Sequence, residues 1–184
     1  MLNTVLGSLS SGVAASTSSY ESIASATGTG SSGTITFSSI PSTYASLQIR
    51  MIANDGGDNN IGIRFNSDTS TINTMHILTG DGSTAAASGQ ININRITNIG
   101  WAANTTNVMG ASIIDIHDYA STTKNKTVRS FTGRDSNSGD TTSFVRLSSG
   151  VWLSTAAITS IQLLDLGGNF TTSSTFALYG IKGA

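Results

Sequence analysis

From Gly33 onward, apolar residues alternate with small hydroxylated ones, and this period of two restricts the chain to β-strands. In Thr34–Phe37, for example, Ile35 and Phe37 fall on one face. About nine or ten such runs follow at a spacing typical of a sandwich or barrel. No helix of three turns is visible after residue 33. We therefore predict an all-β fold, a two-sheet antiparallel jelly-roll-like sandwich. The predicted strands begin near residues 34, 47, 61, 75, 91, 108, 126, 143, 158 and 175.

Residues 1–33 follow a different pattern, rich in Ser, Ala, Thr and Gly. Apolar residues there recur at spacings of three or four, which suits a short helix or an extended arm, although Gly7 and Gly12 weaken the helix. Residues 22–33 have too little apolar area to become ordered alone. We predict an N-terminal arm over 1–33 that mediates assembly by lying on a neighbour, and a sandwich domain over 34–184. The residues expected to make the arm contact are Leu2, Val5, Leu6, Leu9 and Val13.

Charge and composition narrow the partners of this chain. Only 10% of the residues are charged and the formal net charge is −1. Nucleic acid is not an expected partner, because binding phosphates needs clustered Lys and Arg. No apolar run approaches the length of a membrane span, and without cysteine there are no disulfides or thiolate metal sites. So few charges allow identical copies to pack closely. A weakly charged monomer is the alternative.

Several segments together resemble a family of small virion structural proteins of tailed phages, common among marine and cyanobacterial phages. The most specific is the terminal Leu178–Gly183 (Leu-Tyr-Gly-Ile-Lys-Gly). The resemblance covers about residues 33–184, and departs from the family in a shortened Gly80–Gly89 region and a longer Ser-rich N-terminus. It implies a jelly-roll-like domain on a capsid or tail, and adds the virion as location. The other matching segments are 35–44, 47–50, 63–69, 113–119, 126–130 and 157–161.

Catalytic constellations are weak in this sequence. Asp115 and His117 lie two apart on one strand and would share a face, but a nearby hydroxyl is inevitable when Ser and Thr make up about 30% of the chain. A polar sheet face explains the pair better. His76, the other histidine, has no ligand spacing for a metal. Glu21 is the only glutamate, so the paired carboxylates of a glycosidase are not expected.

Three loops and two tryptophans are the remaining candidates. Residues 54–60 and 134–141 hold Asp, Asn and Gly, which suits weak calcium binding but is also ordinary turn chemistry. Residues 80–89 form a third predicted loop. Trp152 has apolar neighbours, so we expect it in the core. Trp101 is the better surface candidate and a possible glycan contact.

These observations predict a protein that is not an enzyme and needs no cofactor or metal. We expect a capsid decoration or cement protein that assembles on the virion as a homotrimer and contacts other virion proteins such as the major capsid protein. The alternative is a tail fibre or collar component that binds a host cell-surface glycan through residues 54–60, 80–89 and 134–141. Jelly rolls serve both roles, so the fold alone does not decide between them.

Overall fold

The computed structural model describes residues 18–136 and 143–183, and these ranges form twelve strands and no helix. All strand pairs are antiparallel and they build two sheets. This confirms the predicted all-β, two-sheet antiparallel sandwich. The strands are β1 (Tyr20–Thr27), β2 (Thr34–Phe37), β3 (Ser46–Ala53), β4 (Asn59–Phe65), β5 (Asn73–Gly80), β6 (Ala85–Ile93), β7 (Ile96–Ala102), β8 (Gly110–His117), β9 (Lys126–Arg134), β10 (Phe144–Trp152), β11 (Ile161–Asp165) and β12 (Thr175–Ile181).

The larger sheet has eight strands in the order β1-β12-β3-β8-β9-β10-β5-β6, and the smaller has four in the order β2-β11-β4-β7. The chain passes from one sheet to the other at each of its first four connections, as in a jelly roll, which lets the apolar faces of the two sheets bury each other. The core lies between the sheets. Its fully buried members include Leu47, Ile49, Ile61, Ile63, Ile96, Ile99, Ile114, Ile116, Val128, Ile161, Leu163 and Leu178.

Two strands were not anticipated from the sequence. β7 lies in a stretch with no regular alternation, since its buried residues are Ile96, Ile99, Gly100 and Ala102. β1 falls inside the predicted arm, and there the structure differs from expectation. Residues 20–27 pair with β12 and form one edge of the larger sheet.

β1 is ordered mainly by its backbone pairing with β12, which the amino-acid composition of the segment does not predict. Backbone hydrogen bonds to β12 require no apolar side chains. In addition, Ile23, Ala24 and Ala26 pack against the core. The expectation that 22–33 lacks the means to become ordered is therefore corrected. Leu2, Val5, Leu6, Leu9 and Val13, the predicted contact residues of the arm, lie outside the described residues.

The predicted loop over 80–89 is also corrected in part, because β6 begins at Ala85. Only residues 81–84 form the turn between β5 and β6. Asp81 caps this turn, since its Oδ1 accepts hydrogen bonds from the backbone N–H of Ser83 (2.9 Å) and of Thr84 (2.6 Å). These N–H groups hold the pKa of Asp81 well below its usual range. The turn is thereby fixed in one conformation.

Truncation should separate the two parts of the predicted arm. Removing residues 1–17 leaves all twelve strands, so we expect an unchanged free energy of unfolding. Removing residues 1–27 also deletes β1 and exposes the edge of β12. We expect that deletion to cost about 2 kcal/mol or more, the value of burying a side chain such as Ile23. Urea denaturation followed by circular dichroism measures both. Equal stability of the two truncated proteins would contradict the role given to β1.

Candidate assembly surface

The outer faces of the two sheets differ in chemistry. The smaller sheet shows mainly polar side chains, among them Thr34, Thr36, Arg64 and Gln162. Eight of the ten exposed large apolar residues in the described ranges lie on the larger sheet, and Leu153 and Leu166 in loops are the other two. Six of the eight lie together at the centre of the outer face. We call them the apolar band: Ile52, Leu78, Ile113, Phe131, Val145 and Leu147.

Strand register aligns this band into two rows across five strands. In the first row, Ile113, Phe131, Leu147 and Leu78 stand opposite one another on β8, β9, β10 and β5. The second row begins at Ile52 on β3 and reaches Val145 on β10, with small residues between them. Neighbouring strands are about 4.8 Å apart, so these side chains form one continuous apolar surface.

Phe131 stands at the middle of the band and is 52% exposed. Its ring borders a shallow depression on each side, with volumes of about 840 and 630 Å³. The first lies towards β1 and β12, and its walls include Ile52 and Ile113. The second lies towards β5, and its walls include Leu78 and Leu147. The band therefore presents to a partner the raised ring of Phe131 between two recesses, which projecting side chains of that partner could fill.

A polar row borders the band on β3, β8 and β9. Asp115 accepts a hydrogen bond from Gln48 Nε2 (2.8 Å) and an ion-paired one from Arg129 Nε (3.1 Å). Arg50 Nε donates to Gln48 Oε1 (2.8 Å) and its guanidinium lies over the ring of Tyr179. Asp115 and His117 share the outer face of β8, as strand alternation predicts. The Asp115 carboxylate is therefore part of a hydrogen-bonded polar row.

Trp101 lies in a second cluster between the sheets, at the end where the 54–60 loop meets Arg134 of β9 and Phe144 of β10. Its Nε1 donates to Asp58 Oδ1 (2.6 Å), and Arg134 Nη1 pairs with the same carboxylate. The ring of Phe144 meets the indole edge-on at 4.9 Å, and the guanidinium of Arg146 lies 5.1 Å from the indole centroid. Both the N–H and the ring of Trp101 are thus engaged within the chain. Its contact with a glycan stays a prediction.

Trp152 is buried, as predicted, with 3% of its surface exposed. Its Nε1 donates to Asp68 Oδ2 (2.9 Å), so the indole N–H keeps a partner in the core. This bond and two hydrogen bonds from Ser70 lower the pKa of Asp68, with Ser70 the larger cause.

The Asp/Asn loop over residues 54–60 behaves mainly as a turn. Asp55 Oδ1 accepts from the backbone N–H of Gly57 (2.8 Å) and of Asp58 (2.9 Å). Asp58 joins this loop to the end of β9 through Arg134, and residues 137–142 lie outside the described ranges. Among residues 18–136 and 143–183, no three or more His, Asp or Glu side chains are grouped to hold a metal ion.

The contact between Asp55 of the 54–60 loop and Asp165 makes the stability of the protein depend on pH. Asp55 lies beside Asp165, whose Oδ2 is buried and receives no hydrogen bond. Burial raises the pKa of Asp165, and the charge of Asp55 adds to the effect, while the backbone N–H groups of Gly167 and Gly168 oppose it. Two carboxylates are thus held side by side, and one of them is poorly hydrated.

The apolar band was not identified from the sequence, although a signal for it exists. Met51-Ile52, Ile77-Leu78 and Ile113-Ile114 place apolar residues at consecutive positions, so one member of each pair must face outward. Phe144-Val145 is a further pair of this kind, whereas Phe131 and Leu147 offer no such signal. They alternate with polar residues, and periodicity alone would direct them into the core.

Replacing Asp165 with Asn should stabilise the protein near neutral pH. A carboxyl whose folded pKa is raised binds its proton more tightly in the folded state, so stability is present at low pH and lost as pH rises through that pKa. Asn carries no charge and keeps Oδ1 as an acceptor for Gly167 and Gly168. We expect a higher melting temperature at pH 7 and a smaller difference near pH 3.5, measured by calorimetry.

The matched control is Asp68→Asn, where the sign is opposite. The pKa of Asp68 is lowered, so its contribution is present above the unfolded pKa and lost as pH falls. Asn here should cost about 1–2 kcal/mol at pH 7 through weaker hydrogen bonding to Trp152 and Ser70. Shifts of the same sign at both positions would contradict the assigned environments.

No protein-family model and no curated protein matches this chain. In the part of the chain that the structure covers, no helix has the length and hydropathy needed to cross a membrane. A function must therefore come from the chemistry of the surfaces themselves. Six of the ten exposed large apolar side chains in the described ranges belong to the apolar band.

Proposed function

We propose that this chain is a non-enzymatic structural protein of a phage virion, which associates as a trimer through its apolar band and decorates the capsid surface. The observation that carries the proposal is the band itself. Six large apolar side chains, each between 41% and 54% exposed, lie side by side on one face of one sheet. Contiguous apolar surface of this kind marks contact sites between proteins.

Burying the apolar band against a partner releases enough free energy to drive association. An exposed half of a Phe side chain is about 100 Å² of apolar area, worth about 2.5 kcal/mol when a partner covers it. Several such side chains in one contact exceed the free energy needed to hold protein subunits together at micromolar concentration, about 8 kcal/mol. The cost of association reduces this surplus, so the whole band rather than one residue is needed.

Charge favours copies of the same chain as partners. A chain with only nine Lys and Arg and ten Asp and Glu in 184 residues generates little repulsion between identical molecules. The Gln48–Asp115–Arg129 row beside the band is already hydrogen bonded within each copy. A partner can therefore cover the band without leaving these polar groups unpaired.

The virion and the major capsid protein enter the proposal through the resemblance to phage structural proteins. A decoration protein must add many copies to a shell without opposing their approach, and a rigid, weakly charged sandwich is suited to that task. Its mechanism is mechanical, because each contact adds buried apolar area to the assembled shell.

A second function, glycan binding by a tail fibre or collar component, is favoured by one feature. The depression of about 630 Å³ combines the Phe131 ring with His76, Asp115, Arg129 and Ser149. An aromatic ring surrounded by polar side chains suits a sugar, which offers an apolar face and hydroxyl groups. Wild-type binding on a bacterial glycan array, lost in Phe131→Ala and kept in Trp101→Ala, would favour this function and place the contact at Phe131.

The assembly proposal predicts the mass of the purified protein. Wild-type protein should elute as a trimer in size-exclusion chromatography with light scattering. The double variant Phe131→Asp/Leu147→Asp should no longer form the trimer, because contact through the band would bury unpaired carboxylates. Both side chains are half-exposed in a single chain, so the fold should be retained.

The matched control is Leu153→Asp/Leu166→Asp, which changes two exposed apolar residues in loops away from the band. It should keep the wild-type mass. A wild-type protein that is monomeric at all concentrations, or a band variant that remains trimeric, would overturn the proposed function. Circular dichroism of both variants checks that the sandwich is intact.

A further inference from the structure

The edge strand β6 is a second candidate contact, separate from the apolar band. It is the last strand of the larger sheet and pairs only with β5. Eight of its nine residues are exposed, on both faces, so the smaller sheet does not cover it. One side of its backbone therefore presents N–H and C=O groups without strand partners among the described residues, and such an edge readily accepts another strand.

The sequence of β6 lacks the usual means of blocking an edge. Ala-Ala-Ala-Ser-Gly-Gln-Ile-Asn-Ile contains no charged residue and no proline. Its one irregularity lies near Asn92, which has a φ of 54° and sits where the register with β5 shifts. Residues 85–90 thus form a regular stretch with small side chains, which allows another backbone to approach closely.

The other edges of the described sheets are blocked or short. β1 has a register shift between Ser22 and Ala24, and Glu21 on it pairs with Lys182 at 3.0 Å. β2 has only four residues. β7 has a register shift against β4 and a positive φ at Asn98. Only β6 combines length, regularity and neutrality.

The β5–β6 hairpin is also held rigidly. Asp81 fixes its turn through the N–H groups of Ser83 and Thr84. Arg146 Nε donates to Thr79 Oγ1 (3.0 Å) and so joins β5 to β10 by side chains as well as by backbone. A rigid edge loses little conformational entropy when a strand adds to it, which favours binding.

We infer that β6 pairs antiparallel with β6 of a second copy, so that the two larger sheets become one continuous sheet. An antiparallel edge is complementary to itself about a two-fold axis normal to the sheet. The absence of charge in residues 85–93 removes repulsion between the two identical strands. The same axis leaves both outer faces on one side, so the apolar bands of the two copies face the same direction.

This edge contact rests on the proposed assembly function for its role, because it would join trimers into a larger array. Its existence can be tested without the band. The band variant Phe131→Asp/Leu147→Asp serves as the background, and sedimentation velocity over a range of concentrations measures the association that remains. We expect a concentration-dependent dimer.

Charges on the edge should then control that dimer. In the band-variant background, Ala86→Glu/Ser88→Glu and Ala86→Lys/Ser88→Lys each place like charges opposite one another, and each should raise the dissociation constant at least about tenfold. An equimolar mixture of the two should restore the dimer. The control, Thr122→Glu/Asn125→Glu in an exposed loop, should leave it unchanged. Hydrogen exchange at residues 85–90 should slow on dimerisation.

The outcomes separate the two proposals. The pairing of β6 is overturned if the band variant stays monomeric at the highest concentration, or if the edge charges do not change its dimer. Neither result bears on the apolar band, which is tested by the trimer of the wild-type protein. A dimer that both charged variants lose and the mixture restores supports it, even if the wild-type protein is not a trimer. A mixture that fails to restore the dimer overturns the pairing of β6 with itself.

Discussion

Strict alternation within a strand is the constraint on which the rest of this structure depends. A β-strand turns successive side chains to opposite faces, so one buried residue fixes the direction of all the others in the run. On β9 and β10, Val128 and Trp152 face the core. Phe131 and Leu147 must then face outward, whatever their hydrophobicity. The apolar surface of the larger sheet is a direct result.

The same constraint turns polar side chains inward, and most of those on β9 and β10 find hydrogen-bond partners there, whereas the hydroxyl of Ser130 has none. Thr132 Oγ1 donates to Ser112 Oγ (3.0 Å), and Ser148 Oγ donates to the carbonyl of Asn98 (2.6 Å). Lys126 is fully buried and its ammonium donates to the carbonyls of Ser121 and Lys124 at 2.7 and 2.6 Å. Each such group would be costly without a partner, so the loops and β7 are arranged around them.

Polar side chains inside the sandwich and apolar side chains on its outer face can both be explained by assembly. A chain selected only to be a stable monomer would place Phe131 inside and Thr132 outside, because burying an aromatic side chain contributes more than burying a hydroxyl. The reverse arrangement makes sense when the outer face is itself buried in an assembly. The neutral β6 edge fits the same view, since both surfaces are suited to contact and neither is protected by charge.

The sequence by itself determined the fold class and most of the strands. Ten of the twelve were anticipated, because residues such as Ile35, Phe37, Ile61 and Ile63 alternate in a way that only a half-buried strand explains. It also determined the low charge that makes close association possible. Trp152 in the core followed from its apolar neighbours.

Only the tertiary structure decided which face of each strand is buried. Periodicity gives the spacing of side chains but not their direction, and on β9 and β10 the direction depends on packing against β7, a strand without regular alternation. Edge positions likewise depend on the order of strands in the sheet, so the sequence did not reveal that β1 would be ordered by β12 or that β6 would be left uncovered. Sequence fixes local geometry, whereas exposure is a property of the neighbours that the fold brings together.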